Sequence, residues 1–346
     1  MPYELPPDSS TARRTRITQR VTFGFAALLV ALVAYFAYVG YEGSRQFTEA
    51  PAPSADCRTP AVMGWEYEAI NYDQAGDSVL ASEADPTNCV ARGEAAGEDV
   101  VGPGEVGLAG WYVPAASGAP PGAPTVILAH GWGSNKSAML DRAALLHDAY
   151  HLVLFDFRNH GQSAGDVTTQ GVRESGDVRA MLDWLESEKG PELIAVLGTS
   201  MGGASALAAA DRDERIDALI VESTHATLAN AIQARLDVAG YPLSMPGSWA
   251  ILLGSLFRTG EDASSVDPVI SISRLEERPV LLVYGGADDS IGPTDAEDME
   301  AAAAEAGSDV ELHVCEAAAH ARSPEACAED YPGWVLGFLE RVLASG

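Results

Sequence analysis

The hydrophobic pattern divides the chain at about residue 125. Before it, one long apolar run stands out. Residues 21–41 read VTFGFAALLVALVAYFAYVGY and carry no charge. As a helix this stretch spans about 31 Å at ~1.5 Å per residue, the thickness of a bilayer core. After residue 125, short apolar runs alternate with longer amphipathic stretches. TVILAHG (125–131), HLVLFDF (151–157), LIAVLG (193–198), ALIVES (218–223), PVLLVYGG (279–286) and VELHVCE (310–316) read as buried strands. Helical patterns lie over 137–149, 171–188, 202–212, 294–307 and 330–345. Strands that are apolar on consecutive positions must be covered on both faces. Their alternation with helices predicts an α/β fold with a parallel sheet between two helical layers. In such sheets the chemistry sits just beyond the C-terminal ends of the strands.

The N-terminal region is organised around the apolar run. Arg13, Arg14, Arg16 and Arg20 precede it, so the positive-inside rule leaves residues 1–20 as a cytoplasmic tail. Residues 21–41 are then a transmembrane signal anchor, and everything after residue 42 lies outside the cytoplasmic membrane. The alternative is a cleaved signal peptide and a secreted protein. The run is long for that, and no small-x-small cleavage site follows it directly. Residues 42–61, rich in Ala, Pro and Ser, read as a linker, and 62–346 as the main domain. Within the domain, 64–72 and 107–114 add strand-like pieces. Segment 224–275, between two core strands, reads as a cap carrying the apolar run YPLSMPGSWAILLGSLF.

Composition removes some functions. A formal net charge of −29 repels nucleic acid. Export changes how the four cysteines read, since an even count in an oxidising compartment indicates disulfides. Proximity in sequence pairs Cys57 with Cys89 and Cys315 with Cys327. The spacing around Cys315 and Cys327 fits no usual zinc pattern.

The chemistry is carried by LIAVLGTSMGGASAL. It places Gly198-Thr199-Ser200-Met201-Gly202 between a strand and a helix, as a G-x-S-x-G nucleophile elbow requires. Ser200 is the predicted nucleophile. An oxyanion hole needs two N–H donors. Met201, the residue after the nucleophile, supplies one; the loop His130-Gly131-Trp132-Gly133 supplies the other, through the Trp132 backbone. Among seven histidines, His320 follows the last strand and precedes the last helix, where the order Ser, acid, His places the base. The acid should follow PVLLVYGG, where Asp288 and Asp289 compete. Asp288 is preferred, and Glu222 after another strand is an outside alternative. A Cys315–Cys327 disulfide closes a loop of eleven residues, 316–326, around His320. That closure contributes about 2–3 kcal/mol and restricts where the histidine can move.

The motifs HGWGSNKSAML, VLFDFRNHGQSAG, LGTSMGGASAL and AAHARSPEACAEDYPGWVLGFLERVL, in this order, resemble the α/β-hydrolase superfamily. More narrowly they are similar to membrane-anchored Bem46-like and serine-aminopeptidase-like hydrolases. The resemblance covers about residues 100–346. It implies a mostly parallel eight-stranded sheet with a small helical cap, and neither metal nor organic cofactor. Ser200, Asp288 and His320 match the family's triad, and Trp132 and Met201 its oxyanion positions. The implied activity is hydrolysis of carboxylic esters on a small-molecule or lipid-like acyl substrate. Peptidase and acyltransferase activities use the same triad and remain alternatives, as does an exported binding module that has kept the fold.

Overall fold

The computed structural model describes residues 9–49, 56–72 and 107–343. Eight strands form one sheet: β1 (Glu68–Tyr72), β2 (Leu108–Val113), β3 (Thr125–Ala129), β4 (His151–Phe155), β5 (Ile194–Thr199), β6 (Ala218–Glu222), β7 (Val280–Gly285) and β8 (Val310–Cys315). Their order across the sheet is β1-β2-β4-β3-β5-β6-β7-β8. From β4 to β8 every pairing is parallel, while β2 runs antiparallel to both its neighbours. Ten helices accompany it among the described residues: α1 (Ser9–Thr48), α2 (Leu140–Leu146), α3 (Glu174–Glu188), α4 (Met201–Ala210), α5 (Leu228–Val238), α6 (Ser244–Thr259), α7 (Pro268–Ile272), α8 (Pro293–Ala306), α9 (Ser323–Ala326) and α10 (Tyr331–Val342).

The continuous apolar runs find their reason in two separate cores. Alternate side chains of one strand enter opposite layers. Val126 and Leu128 of β3 pack with Leu140 of α2 and Val335 and Phe338 of α10. Ile127 and Ala129 pack with Met181 of α3, Leu207 of α4 and Met299 of α8. Apart from the half-buried His151 that opens β4, neither face of β3, β4, β5, β6 or β7 meets water, which is why those strands show no polar alternation. The expected insertion over 224–275 is helical, consisting of α5, α6, a short 3₁₀ turn and α7.

A third cluster joins α1 to this insertion through Val39, Leu228, Ile232, Leu236, Ile251 and Leu252. Here the linker expectation is corrected. Residues 42–48 continue α1 instead of opening a linker, and the chain leaves the helix only where its Pro-rich stretch begins. Two features hold this last part helical. Arg45 bridges Glu42 and Glu49, three residues before and four after it. On the opposite side Ser44 and Thr48 are buried. The Cys57–Cys89 pairing lies outside the described residues, because Cys89 does.

The α1–α6 contact is close because small residues face each other. A Cβ on Gly254 would sit 2.5 Å from the Gly40 carbonyl oxygen, and a Cβ on Gly40 would sit 2.7 Å from that of Ala250. Gly254→Leu is therefore expected to push the helices apart and cost at least about 1–3 kcal/mol, the usual penalty of overpacking. It should appear as a lower urea midpoint for the full chain in detergent micelles. An unchanged midpoint would mean that the helices do not meet this way.

Candidate active site

The site forms where β3, β5, β7 and β8 end. Ser200 sits in the turn between β5 and α4 with φ 55° and ψ −117°, in the positive-φ range that L-residues rarely enter. The turn is possible because nothing projects beneath it. A Cβ on Gly202 would lie 2.2 Å from the carbonyl oxygen of Ala129, so only glycine lets α4 start this close to β3. The Ser200 N–H donates to the Glu222 carbonyl at 2.8 Å, which ties the turn to β6.

The structure brings together Ser200, His320 and Asp288. His320 Nε2 lies 3.1 Å from Ser200 Oγ, and His320 Nδ1 lies 2.7 Å from Asp288 Oδ2. The other Asp288 oxygen accepts from the Ser290 N–H and the Ile291 N–H, each at 3.0 Å. Burial pushes the Asp288 carboxyl up. The hydrogen bonds from His320, Ile291 and Ser290 outweigh it and hold the group below the usual carboxylate range. Both Asp288 oxygens are thus occupied in a way that fixes the imidazole from behind.

The two alternative acids are placed elsewhere. Asp289 points into solvent and is exposed. Glu222 is buried, but its carboxylate is held by Arg142 Nε at 2.7 Å and by the Tyr331 hydroxyl. This cluster still bears on the site. Arg142 also donates to the Ala321 carbonyl at 3.0 Å, and Ser223 Oγ accepts from the Ala321 N–H at 3.1 Å. Ala321 has φ 57°, so the residue beside His320 is held in a left-handed conformation from both its backbone groups. The Cys315–Cys327 disulfide is present, with its Cα atoms 6.1 Å apart. It is one of several ties on the histidine loop. Sequence reading missed Arg142 and Ser223, since neither sits in a motif and only the fold brings them to residue 321.

The donors expected for an oxyanion flank the serine. Met201 opens α4, where backbone N–H groups have no acceptor within the helix. Gly131 lies against Ser200, since a Cβ there would be 3.3 Å from that of Ser200, and Trp132 follows it. Two buried histidines set the loop's path. His130 Nδ1 donates to the Gly131 carbonyl at 2.8 Å, and its Nε2 accepts from the Phe157 N–H at 3.1 Å. His160 Nε2 accepts from the Gly133 N–H at 3.2 Å. Burial, helped by the neighbouring His160, pushes His130 down to about 3, which suits its accepting role. His225 also stays neutral, pushed down to about 4 by burial first and then by the nearby charges of Arg235 and His320.

Among the described residues no cluster of three or more His, Cys, Asp or Glu has the arrangement of a metal site. The hydrogen-bonded Ser200, His320 and Asp288 can work by proton transfer between Ser200 and His320, with backbone N–H groups set for a developing negative charge.

The chain is similar to several known proteins. The model of the alpha/beta hydrolase fold matches residues 124–261. The uncharacterized protein Rv2307c of Mycobacterium tuberculosis is 32% identical over 215 residues, covering 61% of this chain and 68% of that protein. Protein bem46 of Schizosaccharomyces pombe is 29% identical over 187 residues, covering 53% of this chain and 57% of that protein. Among solved structures, the Pyrococcus furiosus esterase Pf2001 superposes with a TM-score of 0.64 at 22% identity, covering 85% of this chain and 98% of that one. The Pyrococcus horikoshii acylaminoacyl peptidase reaches 0.52 at 16% identity, over 68% of this chain and 39% of that one. At these identities the structural matches speak for the fold.

Two outcomes test the site's geometry. Asp288→Asn is expected to lower turnover by on the order of 10⁴-fold, because it leaves His320 in the wrong tautomer. Asp289→Asn should stay near wild type, and a reversed order in ester assays would assign the acid to Asp289. The second concerns pH. His130 and His225 are neutral when folded but bind protons near pH 6.5 when unfolded, so stability falls as pH drops from about 6.5 toward their folded values of about 3 and 4. Each contributes a slope that approaches one proton as pH falls from about 6 to 5. In His225→Gln the slope of unfolding free energy should be smaller by about one proton; an unaltered slope would place His225 in contact with water.

Proposed function

The chain belongs to the α/β-hydrolase family, in its Bem46-like branch, and from that premise we propose that it is a membrane-anchored serine hydrolase of carboxylic esters. The observation that carries this reading is the hydrogen-bonded run from Ser200 through His320 to Asp288. Ser200 Oγ attacks the ester carbonyl as its proton passes to His320 Nε2. The new C–O⁻ is held by the N–H groups of Met201 and Trp132. On collapse the ester C–O bond breaks, and His320 gives its proton to the leaving alkoxide. His320 then takes a proton from water, whose oxygen attacks the acyl-enzyme. The acid departs and the proton returns to Ser200. Asp288 stabilises the imidazolium through Nδ1 and keeps Nε2 aimed at the serine. A neutral His225 matters here, since a second cation beside His320 would oppose its protonation.

The anchor is α1. It contains a stretch of 32 residues, Ile17–Thr48, long and apolar enough to cross a membrane, whose most apolar 18-residue window has a mean hydropathy of 2.1. Only 11% of its most apolar window is buried within the protein, unlike the core helix of a soluble domain. The packing of Gly40, Gly43 and Ser44 on α6 supports a retained helix over a cleaved signal peptide, because cleavage would strip a face from the domain. With arginines before the span, the tail is cytoplasmic and the active site is outside the cytoplasmic membrane.

The test uses the full chain in detergent micelles, as wild type and Ser200→Ala. A fluorophosphonate probe should label the wild type alone, and hydrolysis of chromogenic butyrate esters should fall at least 10³-fold in the variant, as loss of a triad nucleophile does. An aminoacyl anilide run beside the esters separates esterase from peptidase. A folded wild type that neither labels nor turns over any of these substrates would remove the reading.

A further inference from the structure

The cap carries more exposed apolar surface than its role over the active site explains. Val238, Leu243, Met245, Trp249 and Leu253 are each more than half exposed, and Phe257 is 81% exposed. Along α6, positions 245, 249, 253 and 257 recur every four residues and form one stripe. Exposed stripes of this kind mark contact with a protein or a membrane.

The position of the stripe relative to α1 decides between them. The helices run parallel. The Tyr35 hydroxyl donates to the Pro242 carbonyl at the start of the pair, and Gly40 meets Ala250 in the middle. Arg258 donates to Ser44 Oγ at 2.9 Å and to the Tyr41 carbonyl at 3.2 Å at the far end. The turn between α5 and α6 is therefore level with Tyr35. Tyr35 lies six residues inside the apolar run that ends at Tyr41, or about 9 Å at ~1.5 Å per residue. If α1 spans the bilayer, the cap tip reaches about 9 Å into the apolar layer. That depth is comparable to the ~5–10 Å to which the apolar surface of interfacial helices is buried, with α6 running along the span instead of in the membrane plane. The single charge at the other end of the stripe, Arg258, comes level with Ser44, beyond the apolar run.

A cavity of 210 Å³ lies between the same elements. Its apolar walls are Val39 and Phe47 of α1, Ile232 and Leu236 of α5, Ile251 of α6, and Trp132. Trp132 is the lining residue next in the chain to Gly131, which lies against Ser200. The indole is held by Phe47, with ring centroids 6.5 Å apart, and by Arg235 over its face at 5.9 Å. Its Nε1 is buried without a hydrogen-bond partner among the described residues, so turning the ring aside breaks no hydrogen bond to them. The volume is below the ~300–1,000 Å³ of a site that encloses a whole ligand. It suits part of a flexible chain whose remainder stays in the bilayer.

We propose that the α5–α6 tip is sunk in the lipid leaflet that holds Tyr35–Tyr41, and that the cavity is a lateral passage bringing an acyl chain of a membrane lipid ester to Ser200. The inference rests on the serine-hydrolase reading and on a retained α1. It names the substrate class as long-chain acyl esters resident in the membrane. The anchor is then also a wall of the binding site, and the cap is oriented by the bilayer.

The experiment reconstitutes the full chain in phosphatidylcholine vesicles. It compares kcat/KM for a fluorogenic ester of a C16 acid dissolved in the vesicles with that for a water-soluble butyrate ester. Ala239→Trp, which narrows the cavity, and the double variant Leu243→Glu/Met245→Glu, which charges the tip, are each expected to lower the C16-to-butyrate ratio at least tenfold. Bromine-labelled acyl chains should quench the part of the emission that is lost in Trp249→Phe. A ratio unchanged in both variants, or no quenching of that part, overturns the passage while butyrate turnover keeps the hydrolase reading intact. Should Ala239→Trp lose all activity through misfolding, the ratio in the surface variant decides. Absence of both activities in the wild type overturns the hydrolase reading, and this inference with it.

Discussion

The backbone at Ser200 is the constraint on which the rest of the site depends. A serine held at φ 55° costs on the order of 1–3 kcal/mol relative to relaxed backbone. It persists because everything around it is fixed. β5 is buried and paired on both sides. α4 is buried along its whole length, and Gly202 lets it approach β3 without a side chain between. The Ser200 N–H is tied to β6. The same turn that strains the serine starts a helix beneath it, so the hydroxyl stands at a positive helix end. Strain, position and electrostatics have one origin.

Asp288 and His320 follow β7 and β8, farther along the same sheet edge, and the His320 loop needs its own support. The segment after β8 has no regular structure until α9. Its shape is set by the Cys315–Cys327 bond at its ends and by the contacts of Ala321 with Arg142 and Ser223 near its middle. Arg142 can serve because Glu222 and Tyr331 hold it in place under the loop. A buried ion pair adds little net stability, but removing one partner leaves an unpaired charge. Its value here is positional. It connects α2, β6 and α10 to the residue next to His320.

The N-terminal helix adds a second scale. At 40 residues, α1 extends for about 60 Å, roughly twice the thickness of a bilayer core. The excess length is what reaches the domain. Phe47 touches Trp132, the Thr48 carbonyl accepts from the Thr168 N–H at 2.8 Å, and the Phe47 carbonyl accepts from Gln170 at 3.0 Å. The long apolar helix is therefore packed into the domain beside Ser200 and Trp132.

The sequence by itself determined the fold and most of the site. Runs of consecutive apolar residues separated by helical periods leave few alternatives to a sandwiched parallel sheet. The nucleophile elbow is a local geometry written in five adjacent residues. His320 could be placed because its position relative to the last strand and helix is a matter of chain order. Three decisions needed the tertiary structure. Asp288 and Asp289 are adjacent and chemically identical, and only the path of the turn after β7 shows which carboxylate meets His320. Glu222 follows a strand as a triad acid can, yet it is taken by Arg142, eighty residues earlier, and by Tyr331. The stretch 42–48 carries charges that read as the start of a linker, but on a helix its polar and small residues separate onto two faces. The small face meets α6. Each depends on which surfaces come within a few ångströms of one another, and local composition and spacing do not encode contacts between distant segments.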